Sequence, residues 1–459
     1  MTKKIFSLLL TFTVLALSAL TFTACSGGNS ESEEAGRPTP VDMGVTKTLN
    51  VYNWGEYISD GFEGSYDSNA EFEYYFNVYL AEKYGYNIKV NYTTYATNED
   101  MYSKIHSLMS SGSGDAMYDI VVPSDYMIQQ MIEADMLLPF DAESIPNYKN
   151  ISDSFKSPYY DPENLYSVPY TYGMVGIIYN PGLMNEEDLN ENGEIKNKSW
   201  DMLWCESYKG KILQFNNPRD AFGTAMYKNN LDINSTDPAV WQAAAEELKL
   251  QKPLVQGYVN DEIFNKMTTA SATLAPYFAG DFITMYDSLP EDDKFLKFYY
   301  PDEGTNVFID AMCILKTSKM QDAAKEYINF MLDRDAAVAN ALYIGYASPN
   351  EVVRYDEEYL DEMGEDAIEI LYGADPELIN EKYSYDPYYH KLDTVTQENF
   401  YALWESLKTE NAIEPWVHVS SITIVAVLLF ACVSSTVIKK KRSKFYRERD
   451  KELKKKRKA

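Results

Sequence analysis

The sequence predicts an α/β fold of two lobes, preceded by an export segment and followed by one membrane helix. Three observations predict it. Short β-branched and aromatic runs alternate with helix-period stretches through the middle of the chain. That middle part is about 365 residues long, enough for two compact lobes. An apolar segment with basic flanks stands at each end of the 459-residue chain.

Residues 1–24 read as a signal peptide, because Lys3 and Lys4 precede an apolar run over 5–24. The run closes on Phe22-Thr23-Ala24-Cys25, which resembles the lipobox of bacterial lipoproteins, so Cys25 is expected to carry lipid. Residues 25–45, opening Ser26-Gly27-Gly28-Asn29, form a polar, flexible tether. Strand patterns follow over 48–54 and over 87–92, where Ile88, Val90 and Tyr92 alternate. Helices are expected over 70–83 and 99–111, and a buried strand over 118–123, ending in Ser124. Later strands are expected over 176–180, 273–277 and 308–315, and later helices over 238–249 and 321–333. No internal repeat interrupts this order.

The second apolar segment, 416–438, has 23 residues. At about 1.5 Å per residue it spans roughly 35 Å, against a bilayer core of about 30 Å. Trp416 stands at one end and Lys439-Lys440-Lys441-Arg442 at the other, so the positive-inside rule places the basic tail, 439–459, in the cytoplasm and the middle of the chain outside.

The formal charge is −29, and the tail holds 13 Lys and Arg against 3 acids, which leaves −41 on residues 5–438. No excess of basic side chains exists there to neutralise phosphates, which excludes a general nucleic-acid binder and favours cationic ligands. Three His and four Cys are too few for a His-rich or Cys-rich metal centre. Cys205 and Cys313 have apolar or aromatic neighbours and read as two separate thiols. His106, His390 and His418 lie far apart, and no nucleophile elbow, zinc-protease, Walker or dinucleotide-binding motif is present. No enzyme and no cofactor is therefore expected. The stretch Asp188-Leu189-Asn190-Glu191-Asn192-Gly193-Glu194 begins like a calcium loop, but its twelfth position is Ser199 rather than Glu, so it reads as a turn.

The strongest chemical signal sits at strand ends. Trp54 and Tyr57 follow the first strand, and Ser124 and Tyr126 follow the 118–123 strand. In α/β sheets ligands bind at the carboxyl ends of strands. Phe308 and Asp310 lie two residues apart, on one face of a strand. The neighbours of Asp310 are apolar, so its carboxylate should be partly buried and in need of a partner, for which a ligand ammonium is one candidate.

These residues resemble the spermidine/putrescine-binding proteins of bacterial polyamine ABC transporters. The resemblance is carried by Tyr52-Asn53-Trp54-Gly55-Glu56-Tyr57, by 95–104, 118–126, 166–173 and 200–211, by Asp310 with its strand, and by Gly345-Tyr346-Ala347-Ser348-Pro349-Asn350. It extends over 48–408. It implies a periplasmic-binding-protein fold of type II, a Venus flytrap with the polyamine between two lobes. It also implies that Trp54, Tyr57, Ser124 and Tyr126 line the cleft, that Asp310 holds an amine, and that Tyr346 adds an aromatic wall. Asn217 and Asp220 stand where the family has two acids, and Tyr277 and Phe308 where it often has Trp. Asn217 in place of a carboxylate should weaken binding of a third ammonium group, and Gly55 replaces a hydroxyl-bearing residue.

The resulting expectation is a membrane-anchored, extracytoplasmic substrate-binding protein that delivers putrescine or spermidine to an ABC permease and its ATPase. Lobe 1 would comprise 46–173 and 309–355, and lobe 2 would comprise 174–308 and 356–410. Anchoring would come from the N-terminal lipid and the C-terminal helix. The added helix also motivates an alternative, a membrane-tethered polyamine or organic-cation sensor with the same fold. A carboxylate-dependent hydrolase is the third class.

Overall fold

A computed structural model of the chain describes residues 37–111, 118–373 and 376–409. These residues divide into a small unit, 37–49 with 69–91, and a large unit made of 50–68 with the rest from 92 onward. Nine strands are described: β1 Thr46–Trp54, β2 Asn87–Tyr95, β3 Ile120–Val121, β4 Ser167–Tyr179, β5 Ile212–Phe215, β6 Val255–Val259, β7 Leu274–Phe278, β8 Lys297–Tyr299 and β9 Val307–Ile314.

In the small unit the expected helix over 70–83 is an α-helix to Tyr75, a π-helical turn Phe76–Leu80 and a last turn Ala81–Tyr84. Gly85 ends it at φ +77°, a left-handed conformation that glycine adopts without a Cβ penalty. Phe76 is fully buried and stacks on Tyr84 and Tyr86 at 5.4 and 5.7 Å.

In the large unit the strand order is β1-β3-β9-β4-β7-β5-β6, with β8 also on β4. β1 runs parallel to β3, with Val51 opposite Ile120, and β5 runs parallel to β6 and β7. β9 is antiparallel to both β3 and β4. β3 is shorter than the apolar run suggests because Pro123 has no N–H to continue the ladder. β4 is much longer than the expected 176–180. Its first half pairs with β9 and its second half with β7 and β8. Pro169, Gly173 and Gly176 interrupt the sequence pattern of β4, but each has a use. Gly176, for example, passes so close to β8 that a Cβ there would lie 2.2 Å from Phe298 Cζ.

An aromatic core secures the scaffold. Phe222 and Trp241 are buried and meet Phe400 at 5.2 and 5.0 Å, which fixes the helix Thr394–Thr409 against the helix Pro238–Gln251. Each such side chain stabilises the fold by about 1.5–3 kcal/mol through burial. Cys205 and Cys313 are unpaired, as read. The Asp188–Glu194 stretch is a turn: Asn190 Oδ1 accepts from the N–H groups of Asn192 and Glu194, and Gly193 sits at φ +67°.

The expected C-terminal membrane helix requires a correction. Among the described residues no helix is long and apolar enough to cross a membrane. The last described helix, Thr394–Thr409, has 16 residues, which at about 1.5 Å each falls short of a bilayer core, and it carries Glu398, Glu405 and Lys408. The segment 416–438 lies outside the described residues, as do the tail, His418, the signal segment and Cys25.

Candidate functional site

Asp310 stands in the middle of β9 and is 4% exposed. Thr171 on β4 is its ladder partner, and Ser124, just beyond β3, faces it from the other side. The loop after β1 delivers the third neighbour. Gly55 and Glu56 turn the chain, with Glu56 in the left-handed region at φ +49°, and Tyr57 then points inward. Its hydroxyl donates to Asp310 Oδ2 at 2.7 Å and also bonds Thr171 Oγ1 at 2.6 Å. Asp310 Oδ1 is buried and has no hydrogen-bond partner among the described residues. Such an oxygen costs about 1–3 kcal/mol, so the site is arranged to receive a donor. Burial pushes the Asp310 carboxyl up to about 6, and the Ser124 and Tyr57 hydroxyls pull the other way.

Aromatic rings wall this carboxylate. Tyr57 meets Tyr346 edge-on at 5.4 Å, Tyr346 meets Phe308 at 6.0 Å, and Phe308 meets Phe278 at 5.3 Å. Two glycines make the packing possible. A Cβ on Gly173 would lie 2.8 Å from Phe308 Cζ, and one on Gly280 would lie 2.1 Å from Tyr346 Cδ2. Trp54 sits at the entry of the same loop. Its Nε1 donates to the Val122 carbonyl at 2.9 Å, and its ring lies 4.6 Å from Tyr95.

One further carboxylate stands against the wall, and two more belong to a second group. Asp281, in the first turn of the helix Ala279–Asp287, accepts a hydrogen bond from the Tyr346 hydroxyl. Burial pushes it up to about 7, opposed by that hydroxyl. Asp220 lies in the first turn of the helix Pro218–Lys228. Burial and nearby Glu99 push it up to about 7 against the field of Arg219. Glu99 is raised as well, mainly by burial. Its Oε1 accepts from the Tyr126 hydroxyl at 3.0 Å, while its Oε2 is buried and without a partner among the described residues. Tyr126 in turn meets Tyr389 edge-on at 6.2 Å.

Of the residues singled out from the sequence, Tyr57, Ser124, Phe308, Asp310 and Tyr346 therefore form one cluster, with Trp54 at its entry. Tyr126 and Asp220 belong to a second group. Asn217 is the N-cap of its helix: Oδ1 accepts from Arg219 N at 3.0 Å and Nδ2 donates to Asp220 Oδ2 at 2.8 Å. Tyr277 stacks on Phe215 at 5.4 Å, and it is Phe278, one residue on, that faces Phe308. Asp281, Glu99 and Arg219 are not among the residues to which the sequence points. The strand-end rule that selected Trp54 and Ser124 also reaches Asp281, which follows the carboxyl end of β7.

The arrangement offers buried carboxyl oxygens beside aromatic rings, which suits an organic cation. A family model of bacterial extracellular solute-binding proteins matches residues 76–363. This chain belongs to that family. The solute-binding protein is similar to the spermidine/putrescine-binding periplasmic protein of Salmonella typhimurium, at 30% identity over 67% of this chain and 79% of the relative. Among solved structures it is similar to a Listeria monocytogenes protein assigned to a spermidine/putrescine ABC transporter, at 32% identity and TM-score 0.65, over 79% of this chain and 99% of that one. A spermidine/putrescine ABC transporter substrate-binding protein from Streptococcus pneumoniae matches at 30% identity and TM-score 0.59, over 79% and 98%. The family is one of solute binding for transport, not of catalysis.

Proposed function

We propose that this solute-binding protein captures a polyamine, putrescine or spermidine, outside the cytoplasm and delivers it to an ABC importer. The observation that carries the reading is Asp310, a buried carboxylate with one oxygen bonded by Tyr57 and the other without a donor, beside the Tyr57–Tyr346–Phe308 rings. An ammonium group supplies the missing donor and the missing charge together. The methylenes of a polyamine lie against ring faces, where a desolvated cation gains about 0.5–2 kcal/mol per ring. Asp281 on one side and Asp220 with Glu99 on the other serve further ammonium groups. Micromolar affinity needs only about 8 kcal/mol, which a few such contacts supply after ordering costs. The binding names of the relatives in Salmonella typhimurium and Streptococcus pneumoniae support the same ligand class.

In this reading residues 46–173 with 309–355 form one lobe and 174–308 with 356–410 the other, and closure bends the strands near Gly173 and Phe308. Lipid on Cys25 holds the protein to the outer face of the membrane, and the permease and its ATPase are the partners. Binding involves no covalent chemistry.

The test is calorimetric titration of the purified protein with putrescine and spermidine, beside Asp310→Ala. Saturable binding that the variant loses supports the reading. Absence of heat with every polyamine, at high protein concentration, sinks it. Incorporation of labelled palmitate that disappears in Cys25→Ala tests the anchor.

A further inference from the structure

Arg219 is a cation inside the protein, 3% exposed. Its Nη2 donates to Asn234 Oδ1 at 3.0 Å and to the His390 carbonyl at 3.1 Å. Its Nε and Nη1 are buried and have no partner among the described residues. The guanidinium lies 4.5 Å from the Tyr389 ring centre, 5.4 Å from Trp241 and 6.0 Å from Tyr126. Tyr126 also donates to Glu99, and Tyr389 donates to the Arg219 carbonyl at 3.3 Å. A buried cation thus shares Tyr126 with Glu99 without bonding to it, and Arg219 Nε and Nη1, like Glu99 Oε2, are groups with no partner among the described residues. Leaving two donors of one group and one oxygen of the other without partners is expensive, so direct pairing is not what this arginine is placed for.

We propose that Arg219 is a positioning residue for ligand capture: its aromatic seat and its amide and carbonyl anchors hold a positive charge near the carboxylates without bonding them, which leaves their oxygens to the ligand's ammonium groups. The inference rests on the polyamine reading above. Arg219 lowers the proton affinity of Glu99, Asp125 and Asp220, each of which burial raises. These acids come from three different helices, Asn98–Ser110, Asp125–Glu133 and Pro218–Lys228. From β9, Asp310 adds negative charge and opposes Arg219 at Asp220. From the last segment comes His390, which pairs with Asp386 at 3.0 Å and stacks on Tyr159 at 4.3 Å. The hydroxyls of Tyr126, Tyr159, Tyr227, Tyr383, Tyr389 and Tyr401 are all raised by burial and stay neutral.

The experiment measures putrescine and spermidine affinity between pH 6 and 9 for the full protein, Arg219→Met and Arg219→Lys. Arg219→Met should bind several-fold more weakly at pH 6.5, where loss of the positive charge leaves the buried carboxyls more protonated, and within about twofold of the parent at pH 9. It should also release more protons on binding at pH 7, read from heats in buffers of different ionisation enthalpy. Arg219→Lys should restore the parent profile. Weakening of equal size at every pH, or a lysine variant that behaves like the methionine one, overturns the proposal and leaves a packing role. If Arg219→Met does not fold, the lysine variant decides alone: a parental profile supports the proposal and a shifted one overturns it. A parent protein that binds no polyamine at any pH overturns the functional reading instead, which keeps the two failures distinct.

Discussion

The Tyr57 hydroxyl donates to Asp310 Oδ2 at 2.7 Å, joining positions 253 residues apart in the chain. The bond ties the loop after β1 to the middle of β9 and leaves the second aspartate oxygen as the open valence of the site. Tyr57→Phe keeps the ring and removes this bond together with that to Thr171. A hydrogen bond to a charged group contributes about 1.5–3 kcal/mol. Calorimetry should show polyamine affinity reduced by tenfold or more, as about 1.4 kcal/mol per decade implies. An unchanged affinity would remove Asp310 from the centre of the site.

The buried carboxyls give a signed pH dependence. Asp310 is raised to about 6 and Asp220 and Asp281 to about 7, all above the usual carboxylate range, because burial disfavours their charge. The folded state therefore holds more protons than the unfolded state between about pH 4 and 7. These groups make the ligand-free protein less stable as pH rises through that window. A bound polyamine should offset the loss. Scanning calorimetry should find the polyamine-induced rise in Tm growing from pH 5 to 8, and a rise that shrinks over that range contradicts the assignment.

Gly280 is a steric test of the aromatic wall. A methyl there would stand 2.1 Å from the Tyr346 ring, so Gly280→Ala must push the ring aside. Overpacking of this kind costs about 1–3 kcal/mol. Thermal unfolding should show the loss, and polyamine affinity should fall with it. Gly173→Ala, whose Cβ would meet Phe308 Cζ at 2.8 Å, should have the smaller effect. A fully stable Gly280→Ala protein with parental affinity means that the wall is not where the ligand lies.

Asn217 offers a test against the sequence-based expectation. Its amide caps a helix and donates to Asp220, so Asn217→Asp keeps the cap and replaces that donor with a like charge. The new carboxylate should raise Asp220 further. Spermidine titration at pH 7 should show no gain in affinity, whereas a gain would mean that position 217 contacts the ligand directly.

Part of the site is legible in the sequence because strands impose simple rules. Phe308 and Asp310 share a face because side chains alternate, and Trp54, Tyr57 and Ser124 follow strand ends. Asp281 obeys the second rule but is hidden in the sequence, because Phe278-Ala279-Gly280-Asp281 looks like an ordinary helix start. Glu99 and Arg219 follow no local rule, and Tyr389 is marked only by the tyrosine-rich stretch around it. They meet only because three helices and the chain near position 389 converge, and nothing in their immediate neighbours records it. β4 looks short in the sequence for the opposite reason: the Pro and Gly residues that resemble strand breakers are the places where a bulge and two close approaches occur.

The bulge in β4 has one more implication. Pro169 faces Ala311 while Thr171 faces Asp310, so Tyr170 is a supernumerary position in the ladder. Over many generations, descendants of this protein can exchange side chains along the strand and change their cargo by degrees. A single codon gained or lost between 167 and 174 has no such gradual outcome. It is either taken up at the irregularity around Tyr170 or shifts Thr171 against Asp310, so heredity here is freer about spelling than about length.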